Sequence, residues 1–259
     1  MNEHKENPIF RNLEIKIIGI IPARLASTRF PGKPLANIGG KSMIQRVYEQ
    51  ASKSNSLAKV IVATDDARIT EEVIRFGGEF VLTSPTHQSG TDRCAEVIDL
   101  FPNFNAVINI QGDEPFIDPA QIDLLASCFE DAETELATLV KPITNNQDLF
   151  NQNAPKVILN KKGEAIYFSR QTIPFIRSAE EKDWLGKHTF FKHIGIYGYR
   201  ADVLKTITKL AISPLEQAEH LEQLRWIENG YKIKTKITEL ETQAIDTPED
   251  LLKISSDLL

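Results

Sequence analysis

The sequence predicts a three-layer α/β fold built on a mostly parallel, doubly wound sheet. Three observations carry that expectation. Strand-like and helix-like segments alternate in four successive units between Ile15 and Val140, the pattern of parallel strands joined by crossover helices. The longest apolar runs are strand-sized, well short of the ~20 residues of a membrane span. The helix candidates gather their apolar residues on one stripe each, at i, i+3, i+4 and i+7.

Each element has its own signal. Ile15–Ile21 reads as the first strand, broken at Pro22. Ile44, Val47, Tyr48 and Ala51 form a helical stripe. Lys59–Ala63 is the next strand, and Ile69–Phe76 a helix stopped by Gly77-Gly78. Glu79–Leu82 is a short strand, followed by the helical stripe Cys94, Val97, Ile98 and Phe101. Ala106–Ile110 is a buried strand, then come the stripe Ile122, Leu125, Ala126 and Phe129 and the strand Leu136–Val140. Lys156–Leu159 and Glu164–Phe168 flank Asn160-Lys161-Lys162-Gly163 and read as a hairpin. Gln171–His188 is irregular and polar and is expected to be a mobile loop. Phe190–Tyr199 is a strand, Pro214–Asn229 one helix, Ile233–Ile237 a strand, and a short helix starts at Pro248.

The expected organisation is a flexible polar extension over 1–14 and a single domain over 15–259. Within that domain, 142–200 is read as a β-rich insertion serving substrate and subunit contacts. The chain has 259 residues, 41% hydrophobic and 25% charged, ordinary globular composition. Its first residues, MNEHKENPIFRN, contain no apolar core of a signal peptide. Cys94 and Cys128 fall inside amphipathic patterns and read as buried reduced thiols. A net charge of -6 without a basic stripe excludes nucleic acid as the expected partner.

Positive charge is instead local. No Asp or Glu occurs between Glu14 and Glu49. This stretch contains Arg24, Arg29 and Lys33 around Pro31-Gly32, a loop suited to a nucleoside triphosphate. Gly40-Lys41-Ser42 ends like a P-loop, but Leu35 stands where that motif needs its first glycine. Asp113, in Gln111-Gly112-Asp113-Glu114-Pro115, leaves a buried strand and suits Mg²⁺, with helix capping as the competing role. Asp246, before Thr247-Pro248, has the same two readings. For Asp66 the capping role is the stronger. Ser89 or Thr91 caps the Cys94 helix or meets an anion at its N-terminus. His193 and Tyr197 share one side of a strand. Glu219, Glu222, Gln223 and Trp226 are expected on one helical face that hydrogen-bonds a polyol or faces solvent, and Arg170 is suited to a carboxylate.

These segments together resemble the 3-deoxy-manno-octulosonate cytidylyltransferases, the CMP-Kdo synthetases of Gram-negative bacteria. The shared motifs are IIPARxxSTRxPGKPL at 20–35, HxSGTxR at 87–93, QGDEP at 111–115, YFSR at 167–170, HIGIYGYR at 193–200, PLExxExLEQLR at 214–225 and DTPEDL at 246–251. The resemblance implies a sugar-nucleotide nucleotidyltransferase fold, a homodimer in the cytoplasm, and transfer of CMP from CTP to Kdo with Mg²⁺, for lipopolysaccharide synthesis. It implies that Arg24 and Lys33 bind the triphosphate, and that Pro22, Ala23, Ser89, Gly90 and Gln111 line the nucleotide pocket. Asp113 and Asp246 would hold Mg²⁺, with Arg24, Lys33 and Asp113 as the catalytic set. Arg170, His193, Tyr197, Glu222 and Gln223 would hold the sugar acid.

The chain departs from the family pattern beside the nucleotide pocket. Relatives often read TRxDHxSGTER where this chain has Ser84 in place of the Arg, Thr86 in place of the acid, and Asp92 in place of the Glu. A Gly common shortly before DTPEDL is also absent. The inserted-region motifs favour Kdo over a sialic acid and leave 8-amino-Kdo as the alternative acceptor. No side chain stands out as a general base, so activation of the acceptor hydroxyl is expected from the metal. A P-loop phosphotransferase or a non-catalytic nucleotide-binding regulator explains fewer of these residues.

Overall fold

The computed structural model describes residues 15–26, 30–241 and 244–252. The expected extension at 1–14 and the candidate Arg29 lie outside the described residues. The elements begin with β1 (Ile17–Ala23), the small hairpin β2 (Asn37–Ile38) and β3 (Lys41–Ser42), α1 (Met43–Ala51) and β4 (Leu57–Thr64). Next come α2 (Ala67–Arg75), β5 (Phe80–Leu82), α3 (Gly90–Asp99), β6 (Ala106–Asn109), α4 (Pro119–Ala126) and β7 (Leu136–Pro142). The chain continues through α5 (Asn146–Phe150), β8 (Lys156–Leu159), β9 (Ala165–Ser169) and β10 (Phe191–Arg200). It closes with α6 (Ala201–Ile207), α7 (Pro214–Glu219), α8 (Gln223–Glu228) and β11 (Ile233–Ile237), and residues 248–252 are helical.

Strands run in the order β11-β7-β10-β6-β1-β4-β5. Neighbours are parallel except at β10, which is antiparallel to both β6 and β7. The β8–β9 hairpin attaches to the start of β10. Residues 142–200 therefore supply both an outlying hairpin and a strand of the main sheet. Strand β1 explains the layers. Ile17, Ile21 and Ala23 enter one apolar layer with α1, α2 and α4. Ile18 and Ile20 enter the other with α3, α6 and α8. A strand covered on both faces must be apolar at every position, and each such isoleucine contributes about 1.5–3 kcal/mol on burial. Cys94 and Cys128 are free, buried and in opposite layers. Among the described residues, no helix is long and apolar enough to cross a membrane.

Three expectations are corrected. First, β1 does not break at Pro22 but continues to Ala23 beside β4. Pairing with β6 ends at Ile20, so the missing proline N–H removes no bond from that ladder. Second, 214–229 is two helices. Ser213 and Glu216 form a capping box that starts α7, and His220 in the left-handed conformation (φ 51) ends it. The break buries Leu221, Leu224 and Trp226 while Glu219 turns toward β9. Glu219, Glu222, Gln223 and Trp226 therefore do not share a helical face. Third, 171–188 is not wholly irregular. It contains a 3-10 helix, Glu181–Gly186. Trp184 from that helix packs with Ile143, Leu149 and Phe190 in a small core of their own.

Candidate active site

Ligands of open parallel sheets bind beyond the carboxyl ends of the strands. Here the loops after β1 and β6 and the segment following β11 meet at that edge. Gly32 adopts φ 75, a left-handed conformation open to glycine at little cost, and starts the single 3-10 turn Lys33–Leu35. The turn aims Lys33 inward. Its ammonium donates to Asp113 Oδ2 at 2.7 Å and to Asp246 Oδ1 at 3.2 Å. The two acids lie 133 positions apart in sequence, yet Ile245 N donates to Asp113 O at 2.9 Å and clamps their segments together. Neither acid caps a helix. Asp118 caps α4, and Thr247 and Asp250 bond reciprocally at the last helix start. Asp66 does cap α2, as expected.

Pro22, Ala23, Arg24, Lys33, Gln111 and Asp113 line one cavity of about 120 Å³. Gly112 permits its closeness, since a Cβ there would sit 2.9 Å from Pro22 O. Arg24 is exposed and donates to the carbonyls of His87 (3.3 Å) and Gln88 (3.1 Å). Ser89 and Asp92 form the capping box of α3, and Gly90 abuts Pro22. Ser84 and Thr86, the departures from the family pattern, hydrogen-bond each other at 2.7 Å. Ser89 also lines a second cavity of about 670 Å³ with His220 and Glu222.

The other predicted group lies deeper. His193 and Tyr197 do share a face of β10, with ring centroids 5.1 Å apart. A two-residue bulge at Gly195-Ile196 separates them, which preserves side-chain parity. Burial lowers the His193 imidazole to about 3, so it is neutral near pH 7. Burial, with Tyr199 and Glu222 nearby, pushes the Tyr197 phenol well up. Burial also raises the Glu222 carboxyl, against a 3.0 Å bond from Thr91 Oγ1. Gln223 Nε2 and Tyr197 Oη are buried and make no hydrogen bond among the described residues. Phe168 of β9 meets the His193 ring edge-on at 5.3 Å, and Arg170, two residues on, bonds to backbone rather than to these four side chains. The Arg170 guanidinium donates to the carbonyls of Glu219 (2.7 Å), Gln152 (3.2 Å) and His220 (3.3 Å).

Two bonds link the groups. Gln111 Nε2 donates to Gly195 O at 3.2 Å, and Thr91 reaches Glu222 from α3. The sequence reading missed Asn109 and Thr138, and it gave Glu219 a place on a polyol-binding or solvent face rather than its bonds to Ser169 and Arg170. Asn109 Oδ1 is buried at the end of β6 without a hydrogen bond among the described residues. Thr138 contacts His193 from β7. The Glu219 carboxylate accepts from Ser169 Oγ (2.6 Å) and Arg170 N (2.9 Å). For Asn109 and Thr138 a readable signal exists: Asn109 is the lone polar residue of β6, and Thr138 the lone one in the apolar run Leu136–Val140.

The donor set fits a hard divalent cation. Asp113 and Asp246 each place an oxygen within 3.2 Å of one point, now the Lys33 ammonium. Among the described residues, no group of three or more His, Cys, Asp or Glu gathers at a candidate metal position. Two carboxylates suffice for Mg²⁺, which takes its remaining oxygens from phosphate and water.

Comparison with known proteins gives the family. The family model for cytidylyltransferases matches residues 18–235. The chain is 60% identical over 244 residues to the 3-deoxy-manno-octulosonate cytidylyltransferase of Parabacteroides distasonis, covering 92% of this chain and 96% of the relative. To the enzyme of the same name from Bacteroides thetaiotaomicron it is 58% identical over 241 residues, covering 92% and 96%. A solved structure of CMP:2-keto-3-deoxy-manno-octonic acid synthetase complexed with CTP superposes with a TM-score of 0.87 at 42% identity, covering 94% of this chain and 98% of that one. With a family model matched over 18–235 and identity this high over nine-tenths of the chain, the chain belongs to the cytidylyltransferase family, among the 3-deoxy-manno-octulosonate cytidylyltransferases.

Proposed function

We propose that the chain transfers CMP from CTP to the anomeric 2-hydroxyl of Kdo and releases pyrophosphate. A bond forms between that oxygen and the α-phosphorus. The bond from the α-phosphorus to the oxygen bridging it to the β-phosphate breaks, and the hydroxyl proton passes to solvent. The observation that carries the reading is the pair of bonds, Gln111 to Gly195 and Thr91 to Glu222, that ties a cationic loop and a buried polar group into one sheet edge.

In this reading Arg24 and Lys33 neutralise the triphosphate and the departing pyrophosphate. Pro22, Ala23, Ser89, Gly90 and Gln111 line the nucleotide pocket. Arg170 meets the sugar-acid carboxylate, while His193, Tyr197, Glu222 and Gln223 hydrogen-bond its hydroxyls. Asp113 and Asp246 hold Mg²⁺, which supplies charge neutralisation at the phosphoryl oxygens when bound. Holding both substrates in line supplies the remaining acceleration.

We further propose one nucleotidyltransferase domain over 15–259 that works as a cytoplasmic homodimer, with 142–200 giving the subunit contact and the product serving lipopolysaccharide synthesis. Phe150 and Phe175, exposed beside the Trp184 core, support the dimer surface. The two free thiols suit a reducing compartment. The test is pyrophosphate release from CTP with Kdo, without it, with 8-amino-Kdo in its place, and with UTP replacing CTP. Release only with CTP and Kdo is expected. Release without acceptor, or a preference for 8-amino-Kdo, overturns the substrate assignment.

A further inference from the structure

At the bulge in β10, one side chain from β7 reaches two backbone carbonyls. Thr138 lies on β7 opposite Tyr197 and is fully buried. Its Oγ1 stands 2.7 Å from Ile196 O, 3.2 Å from Ile194 O and 3.0 Å from His193 Nε2. A hydroxyl has one hydrogen to give. Two oxygens cannot rest at 2.7 Å without a proton between them, and a carbonyl supplies none. The hydroxyl hydrogen therefore goes to Ile196 O, and Nε2 must donate to Thr138. Neutral imidazole then carries its only proton on Nε2 and leaves Nδ1 as a bare acceptor.

We propose that Thr138 is a positioning residue that locks His193 as the Nε2–H tautomer, so that Nδ1 accepts a hydrogen bond from a hydroxyl of the acceptor sugar acid. The proposal rests on the placement of His193 in the acceptor site and deepens it: the site demands a hydrogen-bond donor at this position of the substrate. Three features support it. No hydrogen bond to Nδ1 occupies it among the described residues. The neighbouring Tyr197 Oη is also unbonded among them, so an acceptor and a hydroxyl stand side by side. Phe168 packs edge-on against the imidazole and restrains ring rotation. The same bulge also offers Gly195 O to Gln111 of the nucleotide loop, a bond that Thr138 does not share.

The test uses the full chain labelled with ¹⁵N. Long-range ¹H–¹⁵N correlation spectra at neutral pH assign the His193 tautomer, its signals identified by their loss in His193→Gln. Wild type is expected as Nε2–H, Thr138→Ser likewise, and Thr138→Val as a mixture or the opposite tautomer. KM for Kdo is expected to rise about tenfold in Thr138→Val, as for one lost hydrogen bond, while KM for CTP stays within about twofold. A wild-type His193 protonated on Nδ1, or on both nitrogens, overturns the proposal. So does Thr138→Val with unchanged tautomer and unchanged KM for Kdo. If Thr138→Val fails to fold, the wild-type and Thr138→Ser spectra still decide the tautomer. An unchanged KM for Kdo in His193→Gln sinks the acceptor-site placement instead, whatever the spectra show.

Discussion

The two halves of the proposed site would recognise their ligands by opposite physics. At the ends of β1 and β6, full charges face each other near water: Lys33 against Asp113 and Asp246, with Arg24 exposed beside them. Around β10 Tyr197 and Gln223 are buried and His193 and Glu222 half-buried, and two of the polar atoms make no hydrogen bond among the described residues. A triphosphate brings about four charges, so net charge can select it. A sugar acid differs from its analogues by single hydroxyls. Discrimination at that level comes from buried donors and acceptors that a wrong ligand leaves unpaired.

That contrast breaks most visibly at Asp113. Asp113→Asn keeps the shape and removes the charge, and metal-dependent turnover is expected to fall about 1,000-fold. Circular dichroism should be unchanged. Near-normal turnover with Mg²⁺ would refute the metal role. Lys33→Ala comes next: kcat/KM for CTP should fall about 100-fold, the scale of removing one group that stabilises charge on the transferring phosphates. KM for Kdo should hold. Equal losses for both substrates would mean that the two halves are one unit and the contrast is false.

The contrast also explains what could be read from the sequence. The sheet was legible because strands buried on both faces are apolar runs, and the helices because each has one covered stripe. The acid-free stretch around Lys33 was legible because its charges are neighbours in the chain. The convergence of Asp113 and Asp246 depends on β6 and the segment after β11 sharing one edge, a property of topology rather than spacing. The α7–α8 break was hidden because Leu215, Ala218, Leu221 and Leu224 continue at i+3 spacing across it and the left-handed residue is a histidine, not the usual glycine. Trp184 hid a local core inside a polar segment. Thr138 and Glu219 act on residues roughly 50 positions away, by bonds no periodicity encodes.

Glu219 offers a smaller test on the buried side. Its carboxylate holds Ser169 and the Arg170 backbone, and its carbonyl holds the Arg170 side chain. Glu219→Gln keeps the size and weakens the grip. KM for Kdo should rise about fivefold, since a hydrogen bond to a charged group is exchanged for a neutral one. The CTP parameters should not move. A change in KM for CTP alone would place Arg170 on the nucleotide side.

The smallest expected effect concerns stability and tests whether the β10 end is as dry as its chemistry requires. Burial depresses His193 to about 3 in the folded chain, whereas an unfolded histidine titrates near 6.5. Between those values the unfolded state binds a proton that the folded state refuses, so folding stability must fall as pH drops through this window. Above pH 6.5 both states are neutral at this residue and it adds no slope. His193→Gln removes the titration and retains a polar side chain. Urea midpoints at pH 7.5 and pH 5 should therefore move less in the variant than in wild type, by on the order of 1 kcal/mol. Equal shifts would mean that water reaches the imidazole in the folded protein. The acceptor end would then recognise its ligand in solvent, as the triphosphate end does.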